Sequence, residues 1–260
     1  MADFASQSGH WYDPKTGEPR YTYVNKKGET KNATLREARK EGWVPSVTMI
    51  LGLASKPALT NWMVDQGILA ALTTPRIDGE PEADYLSRIK KSSKEEASKA
   101  AERGTLIHGW VQKGFEEKYT PDDADGEGFE YFASAAITIR GECGLWQWSS
   151  EKSFARDGYG GKCDLHNERY VIDIKTTSRP IDSVKVWDEH HFQLSAYRHG
   201  LGVDNARCGI LYIHTDTAES RLIWVEEAEL QKGFKCFMDL LSFWYHKTGI
   251  ERLRQGVLEL

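Results

Sequence analysis

Two hundred and sixty residues, 40% hydrophobic and 28% charged, supply one sizeable core with an appendage rather than two large domains. Glycine at 23 residues and proline at 8 are ordinary, which excludes collagen-like and wholesale disordered chains. A mean hydropathy of −0.57 without an apolar run of membrane-spanning length argues against an integral membrane protein. The first residues, Met-Ala-Asp-Phe-Ala-Ser-Gln-Ser, lack the features of a secretory leader, so a cytoplasmic location is expected. The net charge of −5 means that any contact with nucleic acid must come from a local patch. Cys143, Cys163, Cys208 and Cys236 show no C-x-x-C spacing, so they read as reduced, mostly buried thiols.

In chain order, His10-Trp-Tyr and Tyr21-Thr-Tyr-Val24 flank Asp13-Pro-Lys-Thr-Gly17, the pattern of a β-hairpin. A short polar helix is expected over Thr34 to Lys40, and another capped by Ser46 and stopped at Gly52. Pro57 opens a helix reaching Leu72. Residues 73–92, rich in Pro, Asp, Glu, Gly and Lys, read as a flexible connection or exposed arm. The expected boundary therefore separates 1–92, an N-terminal hairpin and helical extension, from a core at 93–260. Ala97, Ala101, Gly104, Ile107, Val111 and Phe115 recur at three and four, predicting a long helix from Ser93 to Phe115. A second helix is expected over Gly128 to Arg140.

The period then changes to two. Strands are expected at Trp146–Phe154, Gly161–His166 and Tyr170–Ile174, with turns at Gly158–Gly161 and Asn167–Arg169. A helix near His190–Gly200, strands at Cys208–His214 and Arg221–Val225, and a helix from Glu227 through Tyr245 complete the order. The expected class is α/β, with helices flanking a mixed central sheet.

The segment Val171-Ile-Asp-Ile-Lys-Thr-Thr177 carries the chemistry. Alternation puts Asp173 and Lys175 on one face, with Ile172 and Ile174 turned into the core. A short turn pairs this strand with Gly160-Gly-Lys-Cys-Asp-Leu-His166, bringing Asp164 level with Asp173. Two adjacent carboxylates repel unless something positive lies between them. A divalent metal, Mg²⁺ or Mn²⁺, satisfies hard oxygen ligands, and a lysine beside it would orient or help deprotonate water or neutralise developing charge in phosphodiester hydrolysis. A surface salt bridge from Lys175 to either aspartate is the bland alternative. His108, in or beside the apolar stripe of the long helix, is either a core histidine or a nitrogen ligand favouring Mn²⁺.

Taken in order, Gly104-x-x-x-His108, Glu151, Gly161-x-x-Asp164, Ile172-Asp173-Ile-Lys175-Thr176 and Gln193-x-x-x-Tyr197 resemble the RecB-like branch of the PD-(D/E)XK nuclease superfamily, over about residues 95–245. Within it the chain is most similar to phage-type exonucleases and the mitochondrial genome maintenance exonuclease, which also carry a Pro-Ser-Val-Thr-like segment, here Pro45 to Thr48. The resemblance implies a restriction-endonuclease-like core. It implies metal ligation by Asp164, Asp173, His108 and the main-chain carbonyl of Ile174, with Lys175 as the catalytic lysine. Glu151 would support the site, while Gln193 and Tyr197 would position the substrate backbone and the active site. Asp173 replaces the commoner Glu and keeps the carboxylate. The scattered cysteines imply no iron–sulfur cluster.

The implied activity is metal-dependent DNA exonuclease action on single-stranded or processed ends in recombination, repair or replication, with a recombination or replication protein as a possible partner and no membrane. A structure-specific or nonspecific endonuclease, and a catalytically silent nucleic-acid binding module, are the alternatives. Lys94 and Arg103, with Arg88, Lys90, Lys91 and Lys99, would form a basic path for phosphates, or else a solvated helix face. Trp62, Trp110 and the N-terminal aromatics would stack on bases or belong to the core.

Overall fold

The computed structural model describes residues 10–55, 57–116 and 126–250. The described residues within Met1–Ala54 and Trp110–Leu260 form one compact unit, and those within Ser55–Gly109 form a second.

In the first unit, the turn at Asp13–Gly17 reverses the chain as expected. Asp13 Oδ1 accepts the Lys15 and Thr16 N–H groups, and Gly17 adopts φ +73°. The partner strand differs from the expectation. Strand β1 (Trp11–Tyr12) pairs with β2 (Pro19–Arg20), while the aromatic run becomes β3 (Thr22–Val24) and pairs with β4 (Thr30–Asn32). A tight turn makes the first residues after it the ones in register. Helix α1 (Leu35–Glu41) ends at Gly42, and β5 (Val44–Pro45) lies on the other side of β1. The Ser46 hydroxyl then accepts the Met49 N–H to cap α2 (Val47–Leu51), which stops at Gly52 as its sequence requires. Trp11 and Tyr12 are core residues, so they offer no stacking surface.

The second unit holds α3 (Pro57–Thr73) and α4 (Glu82–Phe115) up to Gly109. The helix expected from Ser93 thus begins eleven residues earlier, and the expected boundary at 92/93 falls inside it. Glu82 and Asp84 favour the first turn of α4, where its dipole is positive, and Tyr85, Leu86 and Ile89 recur at three and four within it, a helical spacing that continues the later stripe backwards. Only the stretch between α3 and α4 is a connection. Arg88 ties it down with a bidentate bond to Glu80 at 3.0 and 2.7 Å and a bond to the Pro75 carbonyl at 3.0 Å.

Returning to the first unit, α5 (Phe129–Cys143) precedes β6 (Ser149–Arg156), β7 (Tyr159–His166) and β8 (Tyr170–Thr177). The β6–β7 turn is tighter than expected: Asp157 and Gly158 alone, at φ +50° and +85°, reverse the chain. Then come α6 (Asp188–Gly200), β9 (Arg207–His214), β10 (Ser220–Trp224) and α7 (Glu227–Thr248). The five-stranded sheet runs β10-β9-β8-β7-β6, with β8 and β9 parallel and the other pairs antiparallel. This is the expected α/β class with a mixed central sheet. Ile210 packs with Leu194 of α6 and Phe237 of α7, while its neighbours Leu211 and Ile213 are equally buried, so both sheet faces are covered. Each such side chain contributes about 1.5–3 kcal/mol on burial.

Candidate functional site

The site grows from a break in the β7–β8 hairpin. Asn167 Oδ1 accepts the N–H groups of Arg169 and Tyr170, which fixes the turn. Two ladder pairs follow, His166 with Val171 and Leu165 with Ile172. The next position sets Asp164 opposite Asp173, as the sequence predicts, and the ladder stops there. In its place Asp164 Oδ2 accepts the Ile174 N–H at 2.6 Å. Strand β9 meanwhile pairs with β8 along its whole length, opposing Ile210 to Asp173 and Tyr212 to Lys175. One carboxylate therefore sits on a strand held straight and the other on a strand that has left it.

Asp173 and Lys175 share a face, with Lys175 Nζ 2.6 Å from Asp173 Oδ2. The expectation that alternate residues alone build the core needs correction. Val171, on the same face, is fully buried, and Asp173 itself is 2% exposed, because α6 covers this face. The buried carboxylate is accommodated by polar groups from that helix. Gln193 Nε2 donates to Asp173 Oδ1 at 3.0 Å and to the Tyr197 hydroxyl at 2.9 Å, while Gln193 Oε1 lies 3.4 Å from Lys175 Nζ. Gln193 and Tyr197, one turn apart, are both buried. Their geometry holds the Asp173–Lys175 pair.

Electrostatics follow from this crowding. Burial raises the Asp164 carboxyl well above its ordinary range; the negative Asp173 adds to that, and Lys175 and the Ile174 N–H oppose it. For Lys175, burial works against the charge, yet Asp173 and Asp164 outweigh it and the ammonium holds its proton more tightly than usual. The Tyr197 phenol is pushed well up by burial, then by Asp173 and Asp164. Burial likewise raises the Cys163 thiol, fully buried beside Asp164.

Glu151 stands across from Asp164, between the β6–β7 pairs Ser150–Leu165 and Lys152–Cys163. Its backbone takes φ +53°, a costly conformation for a residue with a Cβ. Its carboxylate forms an ion pair with Lys162. Sequence reasoning missed Lys162, whose available signal is its place two residues before Asp164 on the same strand.

His108, Lys94 and Arg103 belong to the Ser55–Gly109 unit. His108 and Arg103 are half-buried, and Lys94 is exposed. Arg88, expected on the basic path, is committed to Glu80. Among the described residues, no three His, Cys, Asp or Glu side chains gather into a set able to hold a metal ion by themselves. A cation between the two aspartates would thus need main-chain and water oxygens as well.

No family model matches the chain, and no curated protein does. Among solved structures, a protein from Eubacterium rectale described as a candidate exonuclease aligns with 60% of this chain and 72% of its own, at 15% identity and a TM-score of 0.40. The alkaline exonuclease of Laribacter hongkongensis aligns with 46% and 72%, at 15% identity and a TM-score of 0.30. Likeness at that level does not reach function.

Proposed function

We propose that the chain is a metal-dependent deoxyribonuclease that hydrolyses phosphodiester bonds from a free end. The observation that carries this reading is the meeting of Asp164, Asp173 and Lys175 where the β7–β8 ladder opens. The donor set suits Mg²⁺ or Mn²⁺. Its oxygens are hard, Asp164 is held in a field that resists its ionisation, and among the described residues Asp173 Oδ2 is met by the Lys175 ammonium alone. Asp164, Asp173 and the Ile174 carbonyl would hold the cation, with water oxygens completing its shell. The chemistry a divalent cation supplies when bound is acidification of water and neutralisation of phosphate charge.

The chain's own residues supply the rest. Lys175, with its ammonium against Asp173 Oδ2, would orient or help deprotonate the attacking water or neutralise developing charge. Gln193 fixes Asp173 through Oδ1, and Tyr197 in turn braces Gln193. Glu151 supports the site from β6. Lys94 and Arg103 would contact the strand's phosphates, and the region from about Trp62 to Arg103 would serve as a covering arm that demands threading of an end.

Digestion of end-labelled linear and closed circular single strands, with Mg²⁺ or Mn²⁺, tests this. Progressive loss of the linear strand with resistance of the circle is expected. Equal cutting of both would replace the exonuclease with an endonuclease, and cleavage of neither would remove the nuclease reading in favour of a silent binding module.

A further inference from the structure

Away from the carboxylates, β8 and β9 begin beside one another, and the Arg207 N–H donates to the Arg169 carbonyl at 2.8 Å. That bond sets two exposed arginines next to each other, each lying over a tryptophan. The Arg169 guanidinium is 4.7 Å from the Trp146 ring centre, and that of Arg207 is 4.2 Å from Trp224. Tyr170 links the rings. Its centroid lies 6.4 Å from Trp146, 5.9 Å from Trp148 and 5.6 Å from Trp224, the last two tilted by only 35° and 37°. The indole N–H groups are already engaged, Trp146 with the Cys143 carbonyl and Trp224 with Glu142, which fixes both ring planes. Trp146 nevertheless remains 42% exposed. Among the described residues neither guanidinium has a carboxylate within ion-pair distance.

We propose that this arginine–aromatic surface docks single-stranded nucleic acid at a distance from the carboxylate pair. Two unneutralised guanidiniums on a chain of net charge −5 form a local cationic spot suited to phosphates. Fixed aromatic planes beside them suit unpaired bases, whose faces stack without regard to sequence. Tyr170 lies three residues before Asp173, about 10 Å along the strand, and the odd step turns it to the opposite sheet face. The docked stretch is therefore separate from the stretch at the carboxylates. The proposal rests on the nuclease reading and names a second anchoring point for its substrate.

The test measures binding, not cleavage. A fluorescein-labelled 30-nucleotide single strand is titrated with the full chain in EDTA and followed by anisotropy, with the chain's own tryptophan emission as a second readout. Arg169→Glu/Arg207→Glu should weaken binding tenfold or more and flatten its salt dependence by about 1.4 in log–log slope, for two phosphates lost. Trp146→Ala should weaken it without changing that slope. Lys235→Glu/Lys247→Glu on α7 matches the change in net charge and should have much the smaller effect. Equal weakening by the two charge reversals would overturn the proposal while leaving the nuclease reading intact. So would a shift of the arginine variant's oligomeric state on gel filtration with unaltered binding, since the surface would then join copies of the chain. Failure of the unaltered chain to bind the strand at all would overturn the proposal, while the nuclease reading is judged separately by digestion with Mg²⁺ or Mn²⁺.

Discussion

Replacing Gln193 with leucine keeps the approximate volume on α6 and deletes every polar contact the amide makes. Asp173 Oδ1, on a carboxylate 2% exposed, loses its donor at 3.0 Å, and the Tyr197 hydroxyl loses its bond at 2.9 Å. A hydrogen bond to a charged group is worth about 1.5–3 kcal/mol and a neutral one about 1. Burying leucine where an amide stood returns roughly 1–2 kcal/mol through apolar contact. The net loss is about 2 kcal/mol, which for a chain of this size lowers the thermal midpoint by about 4–8 °C. Thermal unfolding followed by circular dichroism in EDTA reads that shift without involving activity. Tyr197→Phe, which removes one hydroxyl from the same chain of bonds, should cost about 1 kcal/mol or less. An unchanged midpoint in Gln193→Leu would refute the idea that α6 holds the buried carboxylate in place.

Three further outcomes are expected. A Cβ at Gly233 of α7 would lie 2.9 Å from the His191 backbone, so Gly233→Ala should destabilise by about 1–3 kcal/mol, whereas Gly141→Ala, in open space on α5, should stabilise by up to about 1 kcal/mol; denaturant midpoints compare the two. The Arg198 guanidinium, bonded bidentately to Glu227 at 2.6 and 3.1 Å, depresses that carboxyl, so its contribution is present above the unfolded value of about 4.3 and is lost as pH falls through the lower folded value. The stability gap between the parent chain and Glu227→Gln should therefore shrink from pH 6 towards pH 3, as roughly read from those values in melting curves, and a constant gap would contradict the pairing. Lys175→Ala should lower cleavage by about a hundredfold or more with the fold intact, and titration calorimetry should show Mn²⁺ binding weakened by Asp173→Asn but largely spared by Lys175→Ala.

What the sequence disclosed is what local chemistry decides. Ser46 and Gly52 bracket α2 because capping needs only neighbours in the chain, and Asn167 marks its turn for the same reason. The opposition of Asp164 to Asp173 was legible because a short turn leaves one register and strand alternation then fixes the neighbours. The start of α4 was not, since the Pro, Gly and charges around Glu82 to Ser92 read as a connection although Tyr85, Leu86 and Ile89 keep a helical spacing. Nor was the β1–β2 pairing, because Pro19 and Arg20 carry no strand signal and are recruited by the turn. At the site, burial of Asp173 depends on where α6 lies. The Glu151–Lys162 pair depends on a left-handed residue inside a strand. Neither is written in spacing.

The arrangement at the ladder's end is expensive for a fold that needs only to be stable. Directly opposed residues of antiparallel strands have Cβ atoms about 4.5–5.5 Å apart, where like charges repel. Beyond Asp164 and Asp173 the ladder bonds between β7 and β8 cease, each worth about 0.5–1.5 kcal/mol, and an Asp164 side chain takes the backbone N–H that the ladder would have used. Across the sheet, Glu151 adds a strained backbone and a third carboxylate partnered by Lys162. Valine or isoleucine at 164 and 173 would extend the hairpin, remove the repulsion and free Gln193 and Lys175 from their duties, since apolar replacements of buried ionic groups are commonly neutral or stabilising. The fold instead holds Asp173 with Gln193 and Lys175, and Gln193 is in turn bonded to the Tyr197 hydroxyl. Stability forgone at one place, with supporting bonds built around it, is what a functional site would be expected to show, and the nuclease proposal is anchored on these residues for that reason.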